Sequence, residues 1–270
     1  MRDDVASILQ WAPTTGDQGV ILGTERAAAE RLQLSMLGGF ELSRAGRPIV
    51  LPPSVERVVA YVALHDGPAT RSNIAGTLWL DAPEERAMAN LRSALWRLRR
   101  PGIDVFDAAG EHLELAPWVE VDLYQLSRSA RDVLDGQMAD ADHVERLATG
   151  GELLGDWYDD WVLVEREHFR QLRLQALERL TAALSAAGRY GRATETALAA
   201  IASEPLRESA HRALIEIHLA QGNGSEAIRQ YCRYRRLIRE ELDLAPSEQM
   251  DELMGPLKPG PVDPAALMRT

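Results

Sequence analysis

Apolar and polar positions begin to alternate at residue 32. Leu32, Leu34 and Met36 are apolar and Gln33 and Ser35 polar, which predicts a half-buried strand. "FELSRAGRPIVLPP" predicts two short strands about the polar turn Arg44-Ala45-Gly46-Arg47. They stop at Pro52-Pro53, since proline cannot donate to a ladder. The period then changes to that of a helix. "SVERVVAYVALHDG" predicts a helix capped by Ser54 and ended at Gly67; "TRSNIAGTLWL" predicts one capped by Thr70 with Ile74, Leu78 and Trp79 inward. After "DAPEER" a third helix carries "NLRSALWRLRR" and stops at Pro101-Gly102. "DVFDAAGEHLELAP" then predicts a hairpin about Ala109-Gly110, with Leu113 and Leu115 alternating. Strands, three helices and a closing hairpin in this order describe a winged helix-turn-helix with an N-terminal β-sheet.

From about residue 125 the pattern is helical throughout. "ERLATGGELL" and "DDWVLVEREHFRQLRLQALERLTAALSAAG" are amphipathic. "GRYGRA" ending at Ala193 echoes in "GNGSEA" ending at Ala227, 34 residues on. That is the tetratricopeptide period, with a small residue where paired helices meet and Pro205 where the second helix closes. The expected fold is mainly α: a winged helix-turn-helix with N-terminal sheet and C-terminal hairpin, then an all-α tetratricopeptide-like domain. The expected boundaries are 1–30 for a loosely ordered extension, 31–122 and 123–257 for the two domains, and 258–270 for a Pro-rich disordered tail.

Charge sharpens this division. The chain is acidic, with a formal net charge of −11, yet residues 31–100 carry 10 basic and 6 acidic side chains. Basic character is almost wholly arginine, since Lys258 is the only lysine. An acidic protein with one basic module is poorly suited to non-specific polyanion binding, but can lay a small basic surface on a nucleic acid. There is no signal-peptide pattern and no apolar run near the roughly 18 residues a membrane span needs. The lone Cys232 excludes an intramolecular disulfide; a reducing cytoplasm is expected, with the thiol in a packing role.

On a helical wheel Leu91, Leu95 and Leu98 form one stripe. Arg92, Ser93, Trp96, Arg97, Arg99 and Arg100 occupy the other side. A solvated arginine face is the bland alternative. Against it, no acidic residue occurs from 87 to 103, so the arginines lack the i,i+4 partners of solvated helices. The third helix of a helix-turn-helix series is also the one that enters the major groove, and the arginine fork suits guanine O6 and N7 or a phosphate.

These residues carry a resemblance. "LSMLGGFEL", "IAGTLWLD" and "ANLRSALWRLRR" resemble the OmpR-type DNA-binding domain of the Streptomyces antibiotic regulatory proteins. "GELLGDWYDDWVLVERE", "GRYGRA", "EPLRESAHRALI" and "AIRQYCRYRRLIREELDLAPSEQM" resemble their bacterial transcriptional activator domain. The resemblance covers nearly everything from 32 to 254. It implies a pathway-specific activator that binds promoter direct repeats in double-stranded DNA as side-by-side protomers, contacts RNA polymerase, needs no cofactor, and works at the nucleoid in the cytoplasm. Arg92, Arg97 and Arg99 would be the chief DNA contacts, with Ser93 and Trp96 facing the groove. Arg71 and Ser72, at the start of the second helix, are candidate phosphate contacts through free backbone N–H groups. One departure stands out. Where the family's wing commonly has a Gly-Tyr-Arg-type tip, this chain has Gly110-Glu111-His112, with Asp104 and Asp107 nearby. An acidic wing repels phosphate and predicts weak intrinsic affinity.

Other chemistry finds little support. The single lysine does not fit a phosphate-binding P-loop, and no acid/base or nucleophile constellation can be assembled, so an enzyme is not expected. "GDWYDDW" with His168 lacks metal-site spacing and is expected to be structural; His211 and His218 are expected to be packing or solvent groups. In "QYCRYRRLIREEL" a solvated face with salt bridges to Glu240 and Glu241 is expected. The alternative function is a helical scaffold that binds a protein or ligand, with a degenerate DNA-binding domain.

Overall fold

The computed structural model describes residues 31–65, 67–99, 103–136 and 141–255. The expected extension (1–30), the expected tail (258–270) and the Pro101-Gly102 stop lie outside them. The chain is mainly α, with small sheets near its N-terminus. It divides into two compact units: one holds residues up to Leu34 and Phe40–Val121, the other Ser35–Gly39 and everything from Asp122.

The first unit begins with β1 (Leu32–Ser35), β2 (Glu41–Arg44) and β3 (Arg47–Pro48). Leu32 and Leu34 are buried and Gln33 exposed, as the alternation requires. Ala45 and Gly46 form the tight turn between β2 and β3, both with positive φ (49° and 72°). Helices α1 (Pro53–Leu64), α2 (Arg71–Leu78) and α3 (Glu84–Leu98) follow, with the two-residue β4 (Ala69–Thr70) before α2. The hairpin is β5 (Phe106–Ala109) with β6 (His112–Leu115), and β7 (Val119–Val121) ends the unit. Two sheets result, ordered β3-β2-β1-β7 and β4-β6-β5. β7 runs parallel to β1, pairing Leu32 with Val119 and Leu34 with Val121.

Two local readings need correction. α1 is not capped by Ser54: Pro52 is its N-cap, without a side-chain bond, and Pro53 opens the first turn. Proline fits there because its φ is already helical and its missing N–H would have no helical partner. In α3 the buried stripe is Ala87, Leu91, Ala94 and Leu98, and Leu95 is only half-buried. Two of the four buried positions are alanines, and a reading that follows leucines alone misplaces the centre of the stripe.

The second unit consists of α4 (Asp122–Leu134), α5 (Ala141–Thr149), α6 (Asp160–Ala186), α7 (Tyr190–Ser203), α8 (Glu208–Ala220), α9 (Gly224–Leu242) and α10 (Glu248–Met254). The 34-residue echo falls on equivalent places: Ala193 in α7 and Ala227 in α9 are both fully buried. Successive helices pack as neighbours, α6 on α7, α7 on α8 and α8 on α9. Residues 35–39 are tied in by backbone bonds. The Asp122 carboxylate accepts from the Met36 and Leu37 N–H groups (2.9 and 3.2 Å) and also from Leu123 N–H. Leu154 N–H donates to Met36, Gly38 N–H donates to Glu152, and Leu37 bridges Leu153.

Gly151 lies against this segment. A Cβ there would sit 2.9 Å from the Gly38 nitrogen, backbone against backbone. Gly151→Ala is therefore expected to destabilise by about 1–3 kcal/mol. Thermal denaturation checks it, and an unchanged midpoint would mean that the segment yields.

Candidate nucleic-acid interface

Pro83 is the N-cap of α3, and Glu84 and Glu85 stand in its first turn, where carboxylates complement the helix dipole. Its later turns lose all acid. Arg92, Ser93, Trp96, Arg97 and Arg99 are exposed; Arg100 lies outside the described residues. Trp96 is 76% exposed, which is unusual for so large an apolar surface. Among the described residues no carboxylate comes within ion-pair distance of Arg92, Arg97 or Arg99. The face thus carries positive charge, fork-shaped donors and an exposed flat ring. Sequence reasoning missed one neighbour. Arg86 is exposed and eleven residues, just over three turns, before Arg97, so it falls on the same edge. Its signal was that spacing, hidden because Arg86 lies among the acids of "DAPEER".

α2 supports α3 from behind through Ile74, Ala75 and Leu78, all buried. Its cap is as expected: the Thr70 hydroxyl accepts from Asn73 N–H. The ground given for Arg71 and Ser72 needs correction. The Arg71 N–H is not free but donates to the Glu111 carbonyl (2.8 Å), and Arg71 Nε–H donates to the Gly110 carbonyl (3.1 Å). The physical reason is β4: Thr70 pairs with His112, which brings the start of α2 onto the hairpin turn. Arg71 therefore clamps the wing tip to α2. Ser72 is exposed, its hydroxyl 3.3 Å from that of Thr70.

The wing is acidic in three dimensions. Glu111 is exposed at the turn, and Asp107 stands directly opposite Glu114 in the β5–β6 ladder. Like charges so placed destabilise the pair and would repel a phosphate. Both line a hollow of about 410 Å³ with Pro68 and His112.

The second unit shows where the remaining candidates lie. His211 is a packed core residue, 1% exposed, with both ring nitrogens bonded: Nε2 to the Pro205 carbonyl (2.8 Å) and Nδ1 to the Gln230 amide (2.7 Å). Among the described residues no group of acids, histidines and cysteine could hold a metal. Cys232 does not pack: it is exposed on α9. The arginines beside it also differ from expectation. Arg229 pairs with Glu226, but Arg233, Arg235, Arg236 and Arg239 are exposed with no ion pair to Glu240 or Glu241 among the described residues. Adjacent residues on a helix diverge, and Arg preceding Glu at i,i+4 is the weaker order. No helix among the described residues is long and apolar enough to cross a membrane.

Residues 122–258 match the bacterial transcriptional activator domain family. The chain is similar to the regulatory protein AfsR of Streptomyces coelicolor, 28% identical over 246 residues, which cover 85% of this chain and 24% of that protein. The same protein of Streptomyces griseus is 28% identical, with 84% and 24% covered. The chain thus spans about a quarter of the length of these relatives. Among solved structures, Mycobacterium tuberculosis EmbR, in a complex with a low-affinity phosphopeptide, shares the fold: the TM-score is 0.59 at 20% identity, covering 83% of this chain and 64% of that one. The matched residues make up half of the chain, which therefore belongs to the bacterial transcriptional activator domain family.

Proposed function

We propose that the protein is a sequence-specific DNA-binding activator whose α3 reads promoter direct repeats and whose bound protomers contact RNA polymerase, for a biosynthetic gene cluster. The observation that supports this is the outer face of α3, where arginines and an exposed tryptophan have no ion-pair partner among the described residues. Arg92, Ser93, Trp96, Arg97 and Arg99 supply the groove contacts, Arg100 continues them, and Arg86 joins at one edge. Arg71 acts mainly by holding the wing turn, with Ser72 as the phosphate contact beside it. In this reading residues 31–122 form the DNA-binding domain and 123–257 the activator domain, working at the nucleoid in the cytoplasm.

The acidic wing makes the hold on a half-site weak, so a homodimer on DNA or polymerase completes it. A gel shift with DNA from the gene's own neighbourhood, at two salt concentrations, tests this. With about four phosphates neutralised, affinity should fall by roughly a hundredfold between 50 and 200 mM salt. Tight binding of an isolated monomer to one half-site at physiological salt would refute the weak-wing account. The acidic hairpin also favours a second reading, a helical scaffold with a degenerate DNA-binding domain. In that reading no promoter fragment shifts at either salt concentration.

A further inference from the structure

Within the second unit a cavity of about 410 Å³ opens between the end of α5, the Gly150-Gly151 loop, α6 and the end of α7. Its size suits a small molecule. Phe169, Leu153, Ala199 and Ala202 give it apolar surface, and Arg166, Arg170 and Arg173 line it from α6. The three arginines differ in how their charge is met. Arg170 is neutralised by Glu167 and Glu204. Arg166 bonds the carbonyls of Leu153, Leu154 and Trp157, with Glu152 at 3.5 Å. Among the described residues Arg173 has only neutral partners: the Leu147 carbonyl (3.0 Å), the Ala148 carbonyl (3.3 Å) and the Ser203 hydroxyl (3.1 Å).

A helix-capping role explains part of this, because Leu147 and Ala148 belong to the last turn of α5, whose carbonyls lack helical partners. It leaves two things unexplained. Among the described residues no carboxylate reaches ion-pair distance of Arg173, and burial pushes its pKa down from the usual arginine value. An inward charge without a counterion is costly and is seldom left so. A guanidinium also has five N–H donors, and the three bonds leave one on each terminal nitrogen. A carboxylate can accept from two guanidinium N–H groups at once. Gly150 keeps the approach close, since a Cβ there would lie 2.7 Å from Leu126 and 3.5 Å from Arg173 Nε.

We infer that this cavity is a binding site for a small organic acid, whose carboxylate meets Arg173 and whose apolar body lies against Phe169 and Leu153. The ligand supplies the missing counterion and joins α5, α6 and α7. Its occupancy is a property of the second unit and does not depend on DNA binding.

The test uses the full chain, with benzoate as the organic acid and inorganic phosphate as a bare anion, followed by amide chemical-shift titration. Benzoate should saturate the signals around Arg173 with a Kd of about 1 mM, the scale for so small a ligand. Arg173→Gln should weaken it at least tenfold. Ala199→Leu, which narrows the cavity without touching the guanidinium, should do the same, and it decides the matter if Arg173→Gln fails to fold. The inference is overturned if benzoate does not saturate, if either folded variant binds it as the natural chain does, or if phosphate binds there more tightly than benzoate.

Discussion

Replacing Arg92 and Arg97 together with alanine is expected to abolish detectable promoter binding while leaving the fold intact. Both side chains are exposed and have no ion-pair partner among the described residues, so their removal costs the native state little, within about 0.5 kcal/mol. On DNA each would contribute about 1–3 kcal/mol if it pairs with a guanine edge. Two such losses lower affinity by at least roughly thirtyfold. The pattern of loss identifies the contact. A base contact relaxes specificity at one position of the repeat; a phosphate contact weakens all sequences alike and reduces the salt slope by about one per arginine. Gel shifts with single-base variants of the repeat separate the two. Wild-type affinity in a folded double variant would remove α3 from the interface and leave the scaffold reading in its place.

The second large effect concerns stability. His211→Ala is expected to cost about 2–4 kcal/mol, because it empties a core site and strands two polar partners. The imidazole lies 4.5 Å, centroid to centroid, from the Tyr234 ring and between the Pro205 carbonyl and the Gln230 amide. A carbonyl can only accept, so Nε2 carries the proton and Nδ1 accepts from Gln230, which describes a neutral ring. Burial holds the His211 pKa below its usual value, assisted by the positive charge of Arg233 and opposed by the Pro205 bond and Glu208. The sign follows. The unfolded histidine takes up a proton below about pH 6.5 and the folded one does so only at lower pH. The stability His211 supplies is thus complete above that value and is lost as the pH falls toward the folded pKa. Thermal midpoints between pH 7.5 and 5 should fall more steeply for the natural chain than for His211→Ala. Parallel profiles, or a variant as stable as the natural chain, contradict this account.

Local regularities were the readable part of the fold. Alternation located β1, Ala45-Gly46 located the β2–β3 turn, and the spacing of Ala193 and Ala227 located the equivalent helix contacts. The exposure of Arg92, Ser93, Trp96 and Arg97 followed from the wheel, since it depends only on 3.6 residues per turn. What was missed depends on distant partners or on small residues. β7 pairs with β1 across more than 80 residues, and nothing local in "VEV" announces it. Arg71 looked like a free helix end until the two-residue β4 brought the hairpin turn against it. Ala94 displaced Leu95 from the stripe because close helix packing rewards a small side chain. Arg173 gave no signal either: an arginine in an amphipathic helix reads as solvated until the neighbouring helices enclose it.

The path of the chain between its units bears on how such proteins are inherited. It passes from the first unit to the second after Leu34, returns after Gly39, and crosses again after Val121. The match to the family begins at residue 122, at the carboxylate that holds the backbone of Met36 and Leu37. Recombination that moved residues 122–258 alone into another gene would leave behind the segment bonded to Asp122, Glu152 and Leu154. Unless the new neighbour brought an equivalent segment, the transferred helices would arrive with those groups unmet. The natural breakpoint for exchange therefore lies upstream of β1, and selection should keep the two units together as a single heritable piece.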